Sequence, residues 1–283
     1  MDRTKLSPFV KWVGGKGQLI EPIKQMIPRD YDTYYEPFVG GGAILFSLKP
    51  KKAVINDINK QLINVYEQIR DAPKEVIHTV NQLDSLPCDK DYYGECREIY
   101  NHKIQSEELS PECAAYMIWI NKHCFNGLYR VNSRGSFNVP YNNKESVNSI
   151  NEANIMNISK YLNEADIMIL CSDFEDVCQR ITSKDFVYFD SPYVPVSETA
   201  SFTDYSKGGF KLEDHQRLAS LYQRLSGLNI KALLSNNDVD LVRDLYGNYI
   251  IEHLNVRRNI NSKANKRTGK EVIIRNYALN SFI

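Results

Sequence analysis

Residues 186–193 read FVYFDSPY, an apolar run that ends in a carboxylate and a proline. Four consecutive large apolar residues are typical of a strand that is buried on both faces, as in a parallel sheet. Asp190, the Ser191 carbonyl and the Tyr193 ring would then lie at the carboxyl end of that strand, with Pro192 stiffening the turn. Such a set can hold a flat ring that carries an amino group, because it offers hydrogen-bond acceptors and a stacking face. The alternative is an ordinary strand followed by a proline turn.

Other short apolar runs suggest further strands of the same sheet. They are residues 34–35, 53–56, 167–170, 230–234, 249–251 and 272–274, and the last two could pair as a hairpin with a long connection. Helical patterns over residues 58–70, 210–226 and 237–246 alternate with these runs. The alternation predicts an α/β fold, with a mostly parallel, Rossmann-like sheet that has helices on both faces.

The interval 71–150 has a different character. Residues 74–84, 91–105 and 110–123 have helical patterns, and a polar stretch rich in Asn, Gly, Ser and Arg follows them. No strand alternation is evident in it. We therefore predict an inserted, mainly helical domain with a functional loop, placed between the two halves (1–70 and 151–283) of one discontinuous α/β domain.

The composition excludes several classes of protein. The chain has 283 residues, of which 42% are hydrophobic and 25% are charged, as in ordinary globular proteins. No apolar run approaches the roughly 18 residues that span a bilayer, and no apolar segment behind the N-terminus resembles a secretory signal. None of the six cysteines forms a C-x-x-C pair or has zinc-site spacing. We expect a cytoplasmic protein with reduced cysteines and no membrane partner.

The charge is balanced overall but uneven along the chain. Lys+Arg and Asp+Glu both number 35, so the whole molecule has no net attraction for nucleic acid. One 14-residue run nevertheless contains six basic residues and no acid: Arg257, Arg258, Lys263, Lys266, Arg267 and Lys270. This run is either a solvated loop or a contact with phosphates.

A second motif indicates a nucleotide-type ligand. Residues 36–42 read EPFVGGG, so three glycines follow a strand and precede the apolar start of a helix. Glycines there let the backbone approach a ligand closely and leave the helix N-terminus facing it. Asp57 ends the next strand, where a carboxylate can accept both hydroxyls of a ribose. The alternative is a glycine-rich turn with an incidental aspartate.

Six motifs in order resemble the Dam-type DNA adenine-N6 methyltransferases, including the DpnII-type modification enzymes that act on GATC. They are KWVGGK at 11–16, EPFVGGG at 36–42, NDIN at 56–59, FNGLYRVN at 125–132, FNVPY at 137–141 and DSPY at 190–193. The resemblance covers nearly the whole chain. It implies an adenine-specific DNA methyltransferase in which residues 71–150 form the target-recognition domain.

The resemblance also implies S-adenosylmethionine as the methyl donor, and no metal, since the sulfonium is already an activated leaving group. Asp57 would bind its ribose, Asp173 would lie near its adenine, and the glycines would approach its methionine part. The cofactor-binding residues implied are Trp12, Lys16, Glu36, Phe38, Gly40, Gly42, Asp57, Asp173 and Asp190.

For the target, the resemblance implies double-stranded DNA and a flipped adenine held by the catalytic residues Asp190, Ser191, Pro192 and Tyr193. Phe125 would fill the space that the base vacates, and Leu128 and Arg130 would read bases. The DNA-binding residues implied are Lys11, Phe125, Asn126, Leu128, Arg130, Asn132, Pro140, Tyr141, Arg257, Arg258, Lys263, Lys266 and Arg267. We expect a monomer in solution.

Ser191 departs from the family pattern, which usually has proline there. The acceptor that the chemistry needs is a backbone carbonyl, which serine retains, and Pro192 still favours extended backbone at residue 191. The fixed φ of a first proline is lost, so we expect reduced but retained activity.

Several alternatives remain open. The chain could modify a longer or different GAT-containing site, or could be a weak or inactive DNA-binding relative because of Ser191. A methyltransferase for cytosine N4 or a glutamine amide is disfavoured by Asp190 and by the inserted domain.

Overall fold

The computed structural model describes residues 5–12, 17, 19–144, 148–195, 209–257 and 268–279. Seven strands form one sheet in the order β3-β2-β1-β4-β5-β7-β6. They are β1 (Tyr34–Glu36), β2 (Lys52–Asn56), β3 (Asp166–Leu170), β4 (Phe186–Phe189), β5 (Lys231–Asn237), β6 (Ile250–Arg257) and β7 (Thr268–Arg275). Strands β1 to β5 are parallel, and β7 is antiparallel to both β5 and β6. The predicted strands are confirmed, including the hairpin of the last two.

The helices are α1 (Ile20–Met26), α2 (Ala43–Leu48), α3 (Lys60–Asp71), α4 (Pro73–Asp84), α5 (Lys90–Gln105), α6 (Pro111–His123), α7 (Glu152–Glu164), α8 (Phe174–Val177), α9 (Leu212–Gly227) and α10 (Asp240–Tyr246). Side chains close several of their first turns. For example, Asn59 accepts from the Leu62 N–H, and Ser110 accepts from the Cys113 N–H. The sequence patterns predict none of α1, α7 and α8.

The sheet has a core on each face, because alternate side chains of a strand point in opposite directions. In β4, Phe186 and Tyr188 belong to one apolar cluster, whereas Val187 and Phe189 belong to the other. Helices α1 to α7 complete the first cluster, and α8 to α10 complete the second. Helices on both faces of a mostly parallel sheet confirm the predicted fold class.

The helical segment 73–123 contributes to the same apolar cluster as α3 and α7. Its Trp119 is fully buried and donates to Asp84 Oδ1 at 2.8 Å, and Asp84 also accepts from the backbone N–H of Ser149 at 3.1 Å. Asp84 therefore ties the end of α4 to α6 and to the chain that leads into α7. The division into a discontinuous domain and an insert remains a prediction. Over the ranges described above, no helix is long and apolar enough to cross a bilayer.

Candidate active site

The loop after β4 begins with Asp190, whose orientation is set by the neighbouring strand. Asp190 Oδ1 accepts a hydrogen bond from Ser235 Oγ at 2.9 Å. Ser235 Oγ also shares a hydrogen bond with the Tyr188 hydroxyl at 2.9 Å. Because β4 and β5 are parallel neighbours, their carboxyl ends lie together. The carboxylate is thus held by a buried side-chain network.

Two asparagines at the end of β5 hold the same loop further along. The backbone N–H of Val194 donates to Asn236 Oδ1 at 2.9 Å, and Asn237 Nδ2 donates to the Val194 carbonyl at 2.7 Å. Both asparagines are buried, where an amide left without a partner would be costly. The loop is therefore fixed at both its first and its fifth residue.

Tyr193 lies between these two anchors. Its hydroxyl donates to Glu271 Oε2, on β7, at 3.0 Å. Burial, and next to it the carboxylates of Asp190 and Glu271, raise the pKa of Tyr193 well above its usual range. The hydroxyl thus keeps its proton and remains a donor at any physiological pH.

Ser191 is only 2% exposed, and the half-buried Pro192 follows it. The Ser191 hydroxyl oxygen has no hydrogen-bond partner among the described residues. A buried hydroxyl without a partner costs about 1–3 kcal/mol. The side chain at this position therefore weakens the loop.

The glycine turn after β1 is packed against side chains. Gly40 and Gly42 have left-handed backbone, with φ of 50° and 75°. A Cβ atom on Gly40 would lie 2.8 Å from Trp12 Cδ1, and one on Gly42 would lie 2.5 Å from the Tyr66 hydroxyl. Both the conformation and the close packing therefore require glycine at these positions.

Asp57 lies directly against this turn. Its carboxylate accepts from the backbone N–H of Gly40 at 3.2 Å and from that of Asn59 at 2.9 Å. Burial raises the pKa of Asp57 to about 6, although both hydrogen bonds lower it. A carboxylate oxygen has two lone pairs, so each can accept a further hydrogen bond from a hydroxyl.

Asn56 joins three strand ends at this edge of the sheet. Its Nδ2 donates to the carbonyls of Pro37 and Ser172, both at 3.0 Å, and its Oδ1 accepts from the Ser172 N–H at 2.9 Å. Those two residues follow β1 and β3. The glycine turn, Asp57 and Asp173 are thereby brought to one place.

Asp173 caps α8 and is bonded on its side chain as well. It accepts from the Glu175 N–H at 2.9 Å and from Arg217 Nη2 at 2.7 Å. The Phe38 ring packs 5.3 Å from the Phe174 ring, centroid to centroid. An apolar wall therefore adjoins this carboxylate. Glu36 is buried and accepts from the Tyr34 hydroxyl at 2.9 Å.

The segment before α1 connects this edge to a second region, the hairpin of residues 125–141. Asn121 accepts from the Lys11 N–H at 2.7 Å and donates to the carbonyls of Lys11 and Gly127 at 2.9 and 3.0 Å. Trp12, which covers Gly40, also stacks on Tyr129 at 5.4 Å. The glycine turn and the hairpin thus share a common support.

Side chains on one face of α5 bond to the backbone of the hairpin. Tyr93 donates to the Val139 carbonyl at 2.8 Å. Asn101 donates to the Phe137 carbonyl at 3.1 Å and accepts from its N–H at 2.7 Å. At the tip, Asn132 Oδ1 accepts from the N–H groups of Arg134 and Ser136. Asn132 therefore closes the turn.

Several predicted DNA-binding residues lie on the outer side of this hairpin. Phe125 is 51% exposed. Asn126, Arg130 and Pro140 are exposed as well, and Arg130 Nε donates to Asn138 Oδ1 at 2.8 Å. Leu128, in contrast, is half-buried and packs against the apolar cluster.

Tyr141 has a supporting position in this structure. It is half-buried, and its hydroxyl bonds to the carbonyls of Cys88 and Lys144.

Arg257 is the last residue of β6. Lys16, Arg258, Lys263, Lys266 and Arg267 lie outside the described residues. In the part of the chain that the structure describes, no group of three His, Cys, Asp or Glu side chains could hold a metal.

Comparison with known proteins identifies the family. The family model of the D12 class N6 adenine-specific DNA methyltransferases matches residues 12–260. The chain belongs to this family. The resemblance that the six motifs indicate is therefore confirmed, and the protein is an adenine-specific DNA methyltransferase.

Three curated relatives are similar over almost their whole length. The type II methyltransferase M1.LlaDCHI of Lactococcus lactis subsp. cremoris is 39% identical over 98% of this chain and 97% of its own. The type II methyltransferase M.MjaIII of Methanocaldococcus jannaschii is 38% identical over 96% of this chain and 100% of its own. The DNA adenine methylase of Escherichia coli K12 is 31% identical over 92% and 91%.

For this D12 methyltransferase, the sequence motifs missed the residues that hold the predicted site. Ser235, Asn236 and Asn237 are visible as polar residues at the end of an apolar run, the signal that also marks Asp190. Asn121 and Glu271 carry no such signal, because they reach the site from a helix and from an antiparallel strand. The roles of the predicted residues themselves remain predictions.

Proposed function

We propose that this methyltransferase transfers a methyl group from S-adenosylmethionine to N6 of a flipped adenine in double-stranded DNA, within GATC. The observation that supports this most is the strand order. Strand β1 pairs in parallel with both β2 and β4, so the Gly40 turn, Asp57 and Asp190 follow the carboxyl ends of three adjacent strands. Ligands of open α/β sheets bind at that edge.

The residues at this edge fit the cofactor. Asp57 is a half-buried carboxylate that backbone N–H groups alone support among the contacts described, and two ribose hydroxyls would offset its desolvation. The Gly40–Gly42 turn and Trp12 would lie against the methionine part, and Asp173 and Phe38 against the adenine. S-adenosylmethionine supplies a methyl group bound to a positively charged sulfur. This sulfur is a good leaving group and needs no help from a metal.

Asp190 and the Ser191 carbonyl have the chemistry that the target amine requires. The N6 lone pair of adenine is delocalised into the ring, so the nitrogen is a poor nucleophile. Two acceptors on its two N–H bonds favour a tetrahedral nitrogen whose lone pair can react. As the bond from N6 to the methyl carbon forms and the bond from that carbon to sulfur breaks, positive charge would develop on N6. The Asp190 carboxylate would stabilise this charge until one amino proton passes to solvent.

Tyr193 would orient the target by stacking. Extruding a base from the duplex costs a few kcal/mol, and a ring held in a fixed plane recovers part of this cost by contact with the base. Positioning of this kind raises the rate without further chemistry by the ring. Phe125, exposed on the hairpin, would occupy the space that the base leaves.

Arg130 would read guanine. The guanidinium has five N–H donors, and Asn138 engages it from one side. The geometry of an arginine fork matches O6 and N7 of guanine, and such a pair discriminates by about 1–3 kcal/mol. GATC is the site indicated by the motif resemblance.

A methylation-protection assay tests the proposal. The enzyme is incubated with S-adenosylmethionine and an unmethylated duplex, which is then digested with a nuclease that N6-methylation of GATC blocks. Protection of GATC is the expected result. Asp190→Ala should reduce the rate by at least about 100-fold, since it removes the group that stabilises the developing charge.

Asp166→Ala is the matched control. Asp166 is an exposed carboxylate at the beginning of β3, the opposite end of the sheet, and its loss should leave methylation unchanged. Full cleavage after long incubation with wild-type enzyme would contradict the proposed target. Mapping of N6-methyladenine to a longer or different site would replace GATC while leaving the adenine chemistry in place.

A further inference from the structure

Glu271 contacts the proposed catalytic loop from β7, which is separated from β4 by β5 in the sheet. It lies near the beginning of β7, opposite Asn237 of β5. Because β7 runs antiparallel to β5, its first residues lie at the edge where the parallel strands end. Glu271 therefore reaches Tyr193, although the two residues are 78 positions apart in the chain.

Tyr193 is consequently held at both ends. On its backbone side, Asn236 and Asn237 bind both polar backbone groups of the adjacent Val194. At the other end of the ring, the hydroxyl donates to Glu271 Oε2 at 3.0 Å. A phenol ring can change its χ1 rotamer unless its hydroxyl end is held, and this hydroxyl is bonded to Ser235 as well as to Glu271. The hydrogen bond to Glu271 opposes that change.

We infer that Glu271 is a positioning residue, which fixes the ring of Tyr193 for stacking on the target adenine. The inference rests on the function proposed above, since it needs Tyr193 to contact the target base. Glu271 acts on the reaction only through the tyrosine hydroxyl. Its loss should therefore lower kcat and leave the affinity for the cofactor unchanged.

The half-buried position of Glu271 supports this assignment. A carboxylate that is partly removed from water loses hydration, and a charge-assisted hydrogen bond replaces it. Glu252, on β6, provides a comparison: it is bonded to Arg275 at 2.8 Å, which is a structural ion pair within the same hairpin. The two glutamates thus differ in partner, and only Glu271 faces the catalytic loop.

A double-mutant cycle tests the inference. Glu271→Ala, Tyr193→Phe and the double variant are compared with wild type by kcat on GATC duplex and by the dissociation constant for S-adenosylmethionine. Each single variant should lower kcat by about 10-fold, the size expected for one hydrogen bond to a charged group. The double variant should be no slower than Tyr193→Phe, because that substitution already removes the bond to Glu271.

Two further variants separate positioning from folding. Glu271→Gln retains an acceptor oxygen and should restore kcat to within about 3-fold of wild type. Glu252→Ala, the matched control, should not change kcat. Thermal unfolding of each variant shows whether it is folded.

Some results would overturn the inference. Additive losses in the double variant would mean that Glu271 acts independently of Tyr193. Equal loss in Glu271→Gln and Glu271→Ala would mean that charge, not the hydrogen bond, matters. A wild type that does not methylate any adenine would instead refute the proposed function, and this outcome is visible before any variant is made.

Discussion

The loop after β4 and the hairpin 125–141 are supported in different ways. Side chains of neighbouring strands hold the loop at Asp190, Tyr193 and Val194, so that its functional groups face inward. Side chains of α5 bond to the backbone of the hairpin, and the exposed side chains of the hairpin project outward. The side chains are therefore held in place in the loop, whereas in the hairpin it is the backbone that is held.

The difference matches the two tasks of a DNA methyltransferase. Transfer chemistry depends on placing a few atoms within a fraction of an ångström, which side-chain networks on rigid strands can do. Base reading requires side chains that extend into a groove and adapt to the duplex. We therefore expect changes in the loop to alter kcat and changes in the hairpin to alter sequence preference.

Among substitutions that test this difference between the loop and the hairpin, Arg130→Ala should have the largest effect on methylation. Loss of the proposed guanine contact should reduce kcat/KM on GATC by up to about 100-fold, while a duplex with another base at the contacted position should be affected far less. The ratio of methylation rates on the two duplexes, measured under single-turnover conditions, checks this. The loop after β4 is intact in this variant, so the methyl-transfer rate on bound DNA should be retained.

Arg134→Ala is the matched control for charge. Arg134 lies at the exposed tip of the same hairpin and was not predicted to read bases. Its loss should change the methylation of all duplexes by the same factor, because a positive charge that attracts only the phosphates carries no sequence information. If Arg130→Ala also lowers the methylation rate of all duplexes by the same factor, the hairpin binds DNA without reading its sequence.

Asp57 allows a smaller test on the sheet edge. Since burial raises its pKa to about 6, the carboxylate is ionised above that pH and protonated below it. In the proposed site the ionised carboxylate would accept from both ribose hydroxyls, so the affinity for S-adenosylmethionine should be constant above about pH 7 and fall by about 10-fold per unit well below pH 6. Titration calorimetry across this range measures the effect.

Asp57→Asn is the control for that titration. It should bind the cofactor weakly at every pH and lose the step near pH 6, since asparagine does not titrate. A step that persists in Asp57→Asn would assign the pH dependence to another group. Hairpin substitutions such as Arg130→Ala should leave the step in place.

The fold could be predicted from the sequence because buried strands leave a strong signal. Runs such as 186–189 are apolar at every position, as both faces of the sheet are covered. Helix α7 was missed because it is rich in asparagine, a poor helix former. Its Asn151 cap and the spacing of Ile155, Ile158 and Leu162 would have indicated it.

The site could be predicted only in part, for a related reason. Asp190 and Asp57 directly follow apolar runs, and local sequence shows this. Contacts that depend on strand order do not appear locally: Glu271 meets Tyr193 only because β7 is inserted between β5 and β6. Asn121 likewise bonds to Lys11, which lies 110 positions away in the chain.

Ser191 gives the smallest test and the sharpest for the loop itself. Proline at this position would fix φ and would remove the buried hydroxyl that has no partner among the described residues. Ser191→Pro should therefore raise kcat by about 3-fold, through a stiffer loop, and leave sequence preference unchanged. Steady-state rates on a duplex with GATC and on one with an altered base pair in that site measure kcat and sequence preference.

Ser191→Ala separates the two contributions. It removes only the hydroxyl, so it should raise the free energy of unfolding by about 1 kcal/mol and leave kcat near that of wild type. Equal kcat in Ser191→Pro and wild type would show that the anchors at Asp190 and Val194 already make the loop as rigid as the chemistry needs. A gain in kcat from alanine alone would assign the effect to the buried hydroxyl and not to backbone stiffness.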